Sequence, residues 1–193
     1  MDASDRALHA GHDLLVELAG RLPDALLWRL RDWLAAPGGT DTVGVLLPRE
    51  LLRHHLGLTD RERDLLADLA GGWGPARRLL DAVLPGHEPA ESAVGFATEP
   101  VPFDAAVLSA LAVVRGHPGT VALAVTRRGG QRVLLVRGGD RPWTLTATLQ
   151  RLLRAHGDRT PCVEVLTGEG SGYHRAATAA ATPVWSREPA VAA

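Results

Sequence analysis

The chain changes its repeat once, and that change limits what it can fold into. Up to residue 84, apolar residues recur at helical spacing between Pro and Gly stops. After residue 103, runs rich in β-branched residues alternate with helical stripes. Between them, residues 85–102 carry four prolines and no long periodicity. This pattern predicts an α/β (or α+β) protein. It has a helical region over 1–84, a Pro-rich linker over 85–102, an α/β domain over 103–187 and a flexible tail over 188–193. Val94 and Phe96 are the linker residues able to pin it to a surface.

In the first region the spacing predicts a helix over Ala7–Gly20. A second carries the stripe Leu26, Leu30, Trp33 and Leu34 and is stopped by Pro37-Gly38-Gly39. Val43–Leu47 reads as a short strand or a buried connection, and Pro48 as a helix start. Thr59-Asp60-Arg61-Glu62 has the form of a capping box, in which the threonine oxygen takes the N3 amide and Glu62 reaches back. A last helix is expected over Pro75–Leu84.

In the second region Phe103, Val107, Leu111 and Val114 form a helix stripe. Val121–Thr126 and Arg132–Arg137 are strand runs, joined either by a hairpin at 127–131 or by a short excursion. Leu145, Leu149, Leu152 and Leu153 form another stripe. A strand over Val163–Leu166, a helix over Tyr173–Ala181 and a short strand over Pro183–Ser186 complete the alternation. Such alternation favours a parallel or mixed sheet.

Composition narrows the chemistry. The chain has no lysine, asparagine or isoleucine, three residues with AT-rich codons, which points to a GC-rich genome. Without lysine there is no Schiff base, no P-loop lysine and no Ser–Lys dyad, and every fixed side-chain cation is an arginine. Cys162 has no partner within the chain, the N-terminus shows no secretory pattern, and the longest apolar run is far short of a membrane span, so a soluble cytoplasmic protein is expected. Residues 1–104 hold 17 acids and 10 arginines, whereas residues 105–193 hold 5 acids and 11 arginines. That split suits a basic surface for an anion, and it equally suits two halves that attract each other.

The loop Gly168-Glu169-Gly170-Ser171-Gly172 leaves a strand and enters a helix, the place where ligands sit in open α/β sheets. Gly168, Gly170 and Gly172 allow close backbone approach. Ser171 can cap the helix or donate to an oxyanion, and His174 and Arg175 stand in its first turn. Its spacing, G-x-G-x-G, differs from the dinucleotide fingerprint. Arg127, Arg128, Arg132, Arg137 and Arg141 crowd the two central strands and suit phosphate. Trp143 and Tyr173 are the nearest aromatic residues. On paper, a Ser–His–Asp set can be drawn from Ser109, Ser171, His174 and Asp140, without a nucleophile elbow around either serine. His9 and His12, and the adjacent His54 and His55, lack a third ligand, so no metal and no cofactor are expected.

Leu58-Thr59-Asp60-Arg61-Glu62, running to Ala70-Gly71-Gly72, resembles the opening of a LuxR-type helix-turn-helix, which would imply DNA binding. The likeness covers about fifteen residues and then stops, because Trp73–Leu84 ends at Pro85 in an acidic, proline-rich stretch rather than leading to a recognition helix. The capping box alone accounts for the likeness, and an acidic region opposes phosphate contact.

These observations favour a non-catalytic binding or regulatory accessory protein. Its acidic helical part would dock a protein partner, and its Arg-rich part would hold an anionic ligand or a second partner. The alternative is a small enzyme acting on a phosphorylated or nucleotide substrate at the 168–175 loop, with His174 as acid or base. Nucleic-acid binding is the weaker third reading, and no membrane role is expected.

Overall fold

The structure, a computed structural model, describes residues 2–71, 74–86 and 94–187. The expected tail at 188–193 and the middle of the Pro-rich stretch, 87–93, lie outside these. Among the described residues are eight helices and a four-stranded mixed sheet, an α/β architecture with an N-terminal helical part. No helix among them is long and apolar enough to cross a membrane. The chain divides into two compact units, residues 1–92 and 93–193.

The first unit holds α1 (Ala3–Glu17), α2 (Asp24–Leu34), α3 (Gly39–Arg53), α4 (Asp60–Ala70) and α5 (Gly74–Ala82). Helix α1 begins earlier than the apolar periodicity suggests because the Asp2 carboxylate accepts the Asp5 amide at 2.7 Å. Val43–Leu47 is neither strand nor connection, and Pro48 does not start a helix. Both lie inside α3, which opens after Gly38 in the left-handed region (φ 70°). The reason is burial: Val43, Leu47 and Leu51, at i, i+4 and i+8, are all fully enclosed. That stripe outweighs the hydrogen bond lost at Pro48. In α2 the buried stripe is Leu27, Leu30, Arg31 and Leu34, with Trp33 left 39% exposed. The Arg31 guanidinium donates to the Leu15 carbonyl at 2.9 Å. The capping box of α4 forms in full, with Thr59 Oγ1 accepting from the Glu62 amide at 3.2 Å and the Glu62 carboxylate accepting from the Thr59 amide at 2.8 Å. Glu62 also pairs with Arg21.

The second unit runs α6 (Ala105–Gly116), β1 (Thr120–Arg128), β2 (Gln131–Gly138), α7 (Pro142–Ala155), β3 (Cys162–Leu166), α8 (Gly172–Ala179) and β4 (Thr182–Ser186). Phe103, expected in the first stripe, precedes α6 and is 50% exposed; Asp104 caps that helix through the Val107 amide. Of the alternatives at 127–131, the hairpin is present. Arg128 pairs with Gln131, and Gly129 and Gly130 both take positive φ (53° and 81°), as a two-residue mirror-type turn requires.

Strand order is β3-β2-β1-β4, with β2 and β3 parallel and both other pairs antiparallel. The period-2 alternation divides the sheet's two faces. Leu123, Val125, Leu134, Val136, Val163 and Val165 pack under α6 and α7. Val133, Leu135, Cys162 and Ala124 pack on the other face with Ala177 of α8. Residues 94–101 lie along this unit. Ala97 donates its amide to the Arg127 carbonyl at 2.8 Å, and Val101 is buried in the α6–α7 core.

Candidate functional site

Strands β2 and β3 are neighbours and parallel, yet their exits lead to opposite faces, β2 into α7 and β3 into α8. Beyond the carboxyl ends of such a pair the two loops diverge and leave a crevice, the usual ligand position in open α/β sheets. The structure brings Gly168, Gly170, Ser171, Gly172, His174 and Arg175 together in the β3–α8 turn at this point. Arg137 belongs to the same end, since the register sets it beside Leu166, and it is exposed. Arg141 follows β2 as the N-cap of α7, a non-glycine residue in the left-handed region (φ 47°, ψ 61°).

Of the loop glycines Gly168 and Gly170, only Gly170 uses positive φ (71°). A Cβ there would meet His174 Cβ at 2.8 Å and Nδ1 at 3.0 Å, so its backbone lies directly on the imidazole. His174 is fully enclosed. Its Nδ1 lies 3.1 Å from the Ser171 amide nitrogen and 3.0 Å from Ser171 Oγ. Its Nε2 lies 3.1 Å from Glu164 Oε2, and Glu164 is itself 1% exposed. An amide can only donate, so Nδ1 is the acceptor nitrogen and Nε2–H donates to the carboxylate. Ser171 and His174 thus occupy the serine and glutamate places of a capping box, N-cap and N3.

Glu164 is the residue that sequence reasoning missed. The readable signal was a lone acid in a five-residue strand whose other members are all apolar and all buried. Period-2 reasoning treats such a residue as outward-facing, but both faces of this sheet are covered. Ser109 and Asp140 do not join His174. The Ser109 hydroxyl lies 3.2 Å from His156 Nε2, and the Asp140 carbonyl 2.5 Å from His117 Nε2.

Arg127 and Arg128 sit at the other end of the sheet, beside the hairpin, and point to opposite faces. Arg128 stacks on Tyr173 (5.4 Å to the ring centre) and donates to its hydroxyl at 3.2 Å, with Phe96 edge-on to the same ring. It thereby ties α8 to β1. Arg127 stands directly opposite Arg132 across the hairpin. Like charges so placed repel unless counter-charges intervene. Arg132 has them, pairing with Asp104 and lying 3.9 Å from Asp158. Arg127 has none among the described residues. Between the hairpin and the α7–β3 loop lies a cavity of about 260 Å³, lined by Arg127, Gln131, Arg132, Asp158, Arg159 and Thr160. Arg127 Nε, Arg132 Nε and Arg132 Nη1 are buried without a hydrogen-bond partner.

The Asp104 carboxyl is raised by its burial, but the Val107 amide and the Arg132 guanidinium outweigh that and hold it below the ordinary carboxylate value. A groove of about 350 Å³ opens in the helical unit between α2 and α3, lined by Leu26, Leu30, Trp33 and Leu46 with Arg29 and Arg53 among its charged residues. Among the described residues no group of three His, Cys, Asp or Glu side chains can hold a metal. Compared with known proteins, the chain matches no family model, no curated protein and no solved structure.

Proposed function

We propose that the protein is a binding or regulatory module whose α/β unit holds an anionic ligand in the hairpin-end cavity. The observation that carries this reading is the set of buried guanidinium N–H groups without acceptors around that cavity. Buried donors are almost always satisfied, and an unmet one is costly. Facing guanidinium groups with an unspent positive charge match a phosphate or a paired carboxylate. Asp158 and Asp104 already balance Arg132, so the charge left for a ligand comes from Arg127 and Arg159.

The acidic helical unit is the half proposed to dock a protein partner. The α2–α3 groove fits a segment that presents an apolar side chain to Leu26 and Trp33 and carboxylates to Arg29 and Arg53.

The anion reading is tested by calorimetry with inorganic phosphate and pyrophosphate at fixed ionic strength, chloride being the control. Binding is expected, and Arg127→Gln should weaken it by about tenfold or more, the loss of one charge-assisted contact. Equal binding by the Arg127→Gln protein, or no heat with either anion, overturns the reading. A short single-stranded oligonucleotide in the same titration separates a nucleic-acid ligand from a small one.

A further inference from the structure

We propose that the ligand of the hairpin-end cavity is a small polyol phosphate, an assignment that rests on the anion reading of that cavity. Its phosphate lies between Arg127 and Arg132, and a hydroxyl of its body donates to Asp158.

The arginine wall follows from the hairpin register. Arg128 and Gln131 close the two-residue turn as a hydrogen-bonded pair, so Arg127 and Arg132 form the next, non-hydrogen-bonded pair. The Arg127 carbonyl accordingly points away from β2 and accepts the Ala97 amide. In such a pair the Cα atoms stand only about 4.5 Å apart, and both side chains leave the sheet on one face. The Nε of each arginine and Nη1 of Arg132 are buried without an acceptor. Two guanidinium groups held so closely leave a place for one anion with several oxygens between them.

The opposite wall comes from the end of α7. Gly157 takes positive φ (99°), and the Gly157 and Asp158 amides donate to the Arg154 and Leu153 carbonyls, the pairing of a Schellman motif. That motif fixes the backbone leading into Asp158, Arg159 and Thr160, all three of which line the cavity. Asp158 is the residue that a site for a hydroxyl-free anion has no use for. Arg132 already has a hydrogen-bonded carboxylate in Asp104, whereas Asp158 Oδ2 stands 3.9 Å from Arg132 Nη1, beyond hydrogen-bond distance. The Asp158 oxygens therefore keep acceptor capacity, and an ionised carboxylate can only accept. A ligand that is anionic at one end and offers hydroxyl donors at the other satisfies both walls.

Size and lining point the same way. The cavity's volume of about 260 Å³ is less than the roughly 300–1,000 Å³ of sites that enclose drug-sized ligands. Among the described residues that line it, none is aliphatic or aromatic; apart from the arginines there are Asp158, Gln131, Thr160 and two glycines. A nucleobase finds no ring to stack on there, whereas a hydroxylated chain needs none. Gln131 Nε2 donates to the Thr160 carbonyl and to Thr160 Oγ1, the latter at 3.1 Å, so the Thr160 hydroxyl keeps its proton for another acceptor. Thr160 then offers the donor, and Asp158 the acceptor, that a ligand hydroxyl requires.

The test is calorimetry of the full chain at fixed ionic strength and pH 8, where phosphate monoesters are dianions. Four are compared: methyl phosphate, which has no hydroxyl, glycerol 3-phosphate, glucose 6-phosphate and adenosine 5′-monophosphate. The tighter of the two polyol phosphates should bind about tenfold more tightly than methyl phosphate, the worth of one hydrogen bond to a carboxylate. Adenosine monophosphate should bind no more tightly than methyl phosphate. Asp158→Ala keeps the backbone amide that ends α7, and it should act in opposite directions on the two kinds of ligand. Removal of a negative charge should strengthen methyl phosphate binding about two- to fivefold, while loss of the acceptor should bring the polyol phosphates down to the same level. Three results overturn the polyol assignment and leave the anion reading standing: methyl phosphate binding as tightly as both polyol phosphates, a preference that survives Asp158→Ala, or adenosine monophosphate binding most tightly. No heat with any of the four overturns the anion reading and the polyol assignment together.

Discussion

At the scale of single residues, Gly170 and Gly168 separate two uses of glycine within one loop. Gly170 takes positive φ and leaves no room for a Cβ against His174, whereas Gly168 does neither. Gly170→Ala should therefore destabilise the protein by about 1–3 kcal/mol, while Gly168→Ala should be nearly neutral; urea unfolding compares the two. Asp104 gives a pH prediction. Its folded-state pKa is depressed, so its contribution to stability is complete well above the ordinary value of 3.8 and is lost as pH falls through the lower folded value. Asp104→Asn should thus lower stability at neutral pH and flatten the acid limb of a stability–pH curve below about pH 4. An unchanged acid limb would remove Asp104 from that role. The serine, histidine and arginine of the β3–α8 turn were legible in the sequence because they are local to one another. Glu164 was not, because its meaning depends on a histidine ten residues later, brought back to it by α8.

Among the elements, what could be read from the chain followed how local each signal is. The α4 capping box lies within four consecutive residues, and it forms as its letters predict. The α3 helix was hidden because Gly44 and Pro48 disfavour a helix locally, and only the burial of Val43, Leu47 and Leu51 decides for it. The hairpin was one of two alternatives until its pairing fixed Arg128 opposite Gln131. Two substitutions in α4 should differ for physical reasons. Thr59→Ala removes one cap acceptor and should cost about 1 kcal/mol. Glu62→Ala removes the reciprocal cap bond and also leaves Arg21, only 16% exposed, without its carboxylate. Its cost should be about 3 kcal/mol or more. Equal effects in chemical denaturation would mean that the Arg21–Glu62 pair adds nothing beyond the cap.

For the whole molecule, the question is what the second unit needs in order to stand alone. It has its own two-sided core, with α6 and α7 on one face of the sheet and α8 on the other. Residues 94–101, Pro-containing and aperiodic, read as linker, yet they supply Val101 to the core, Phe96 to the Tyr173 ring and an amide to the Arg127 carbonyl. A fragment spanning 94–187 should therefore fold cooperatively and keep the hairpin-end cavity proposed to bind an anion. A fragment beginning at 103 loses a fully buried valine, the aromatic contact and the Ala97–Arg127 hydrogen bond. Burying a side chain of valine's size is worth about 1.5–3 kcal/mol, so a total loss of roughly 2–4 kcal/mol follows against the few kcal/mol that a domain of this size holds in reserve. At several degrees per kcal/mol for so small a domain, the shorter fragment should melt at least about 10 °C below the longer one. Coincident melting of the two fragments would show that the Pro-rich stretch only connects the units.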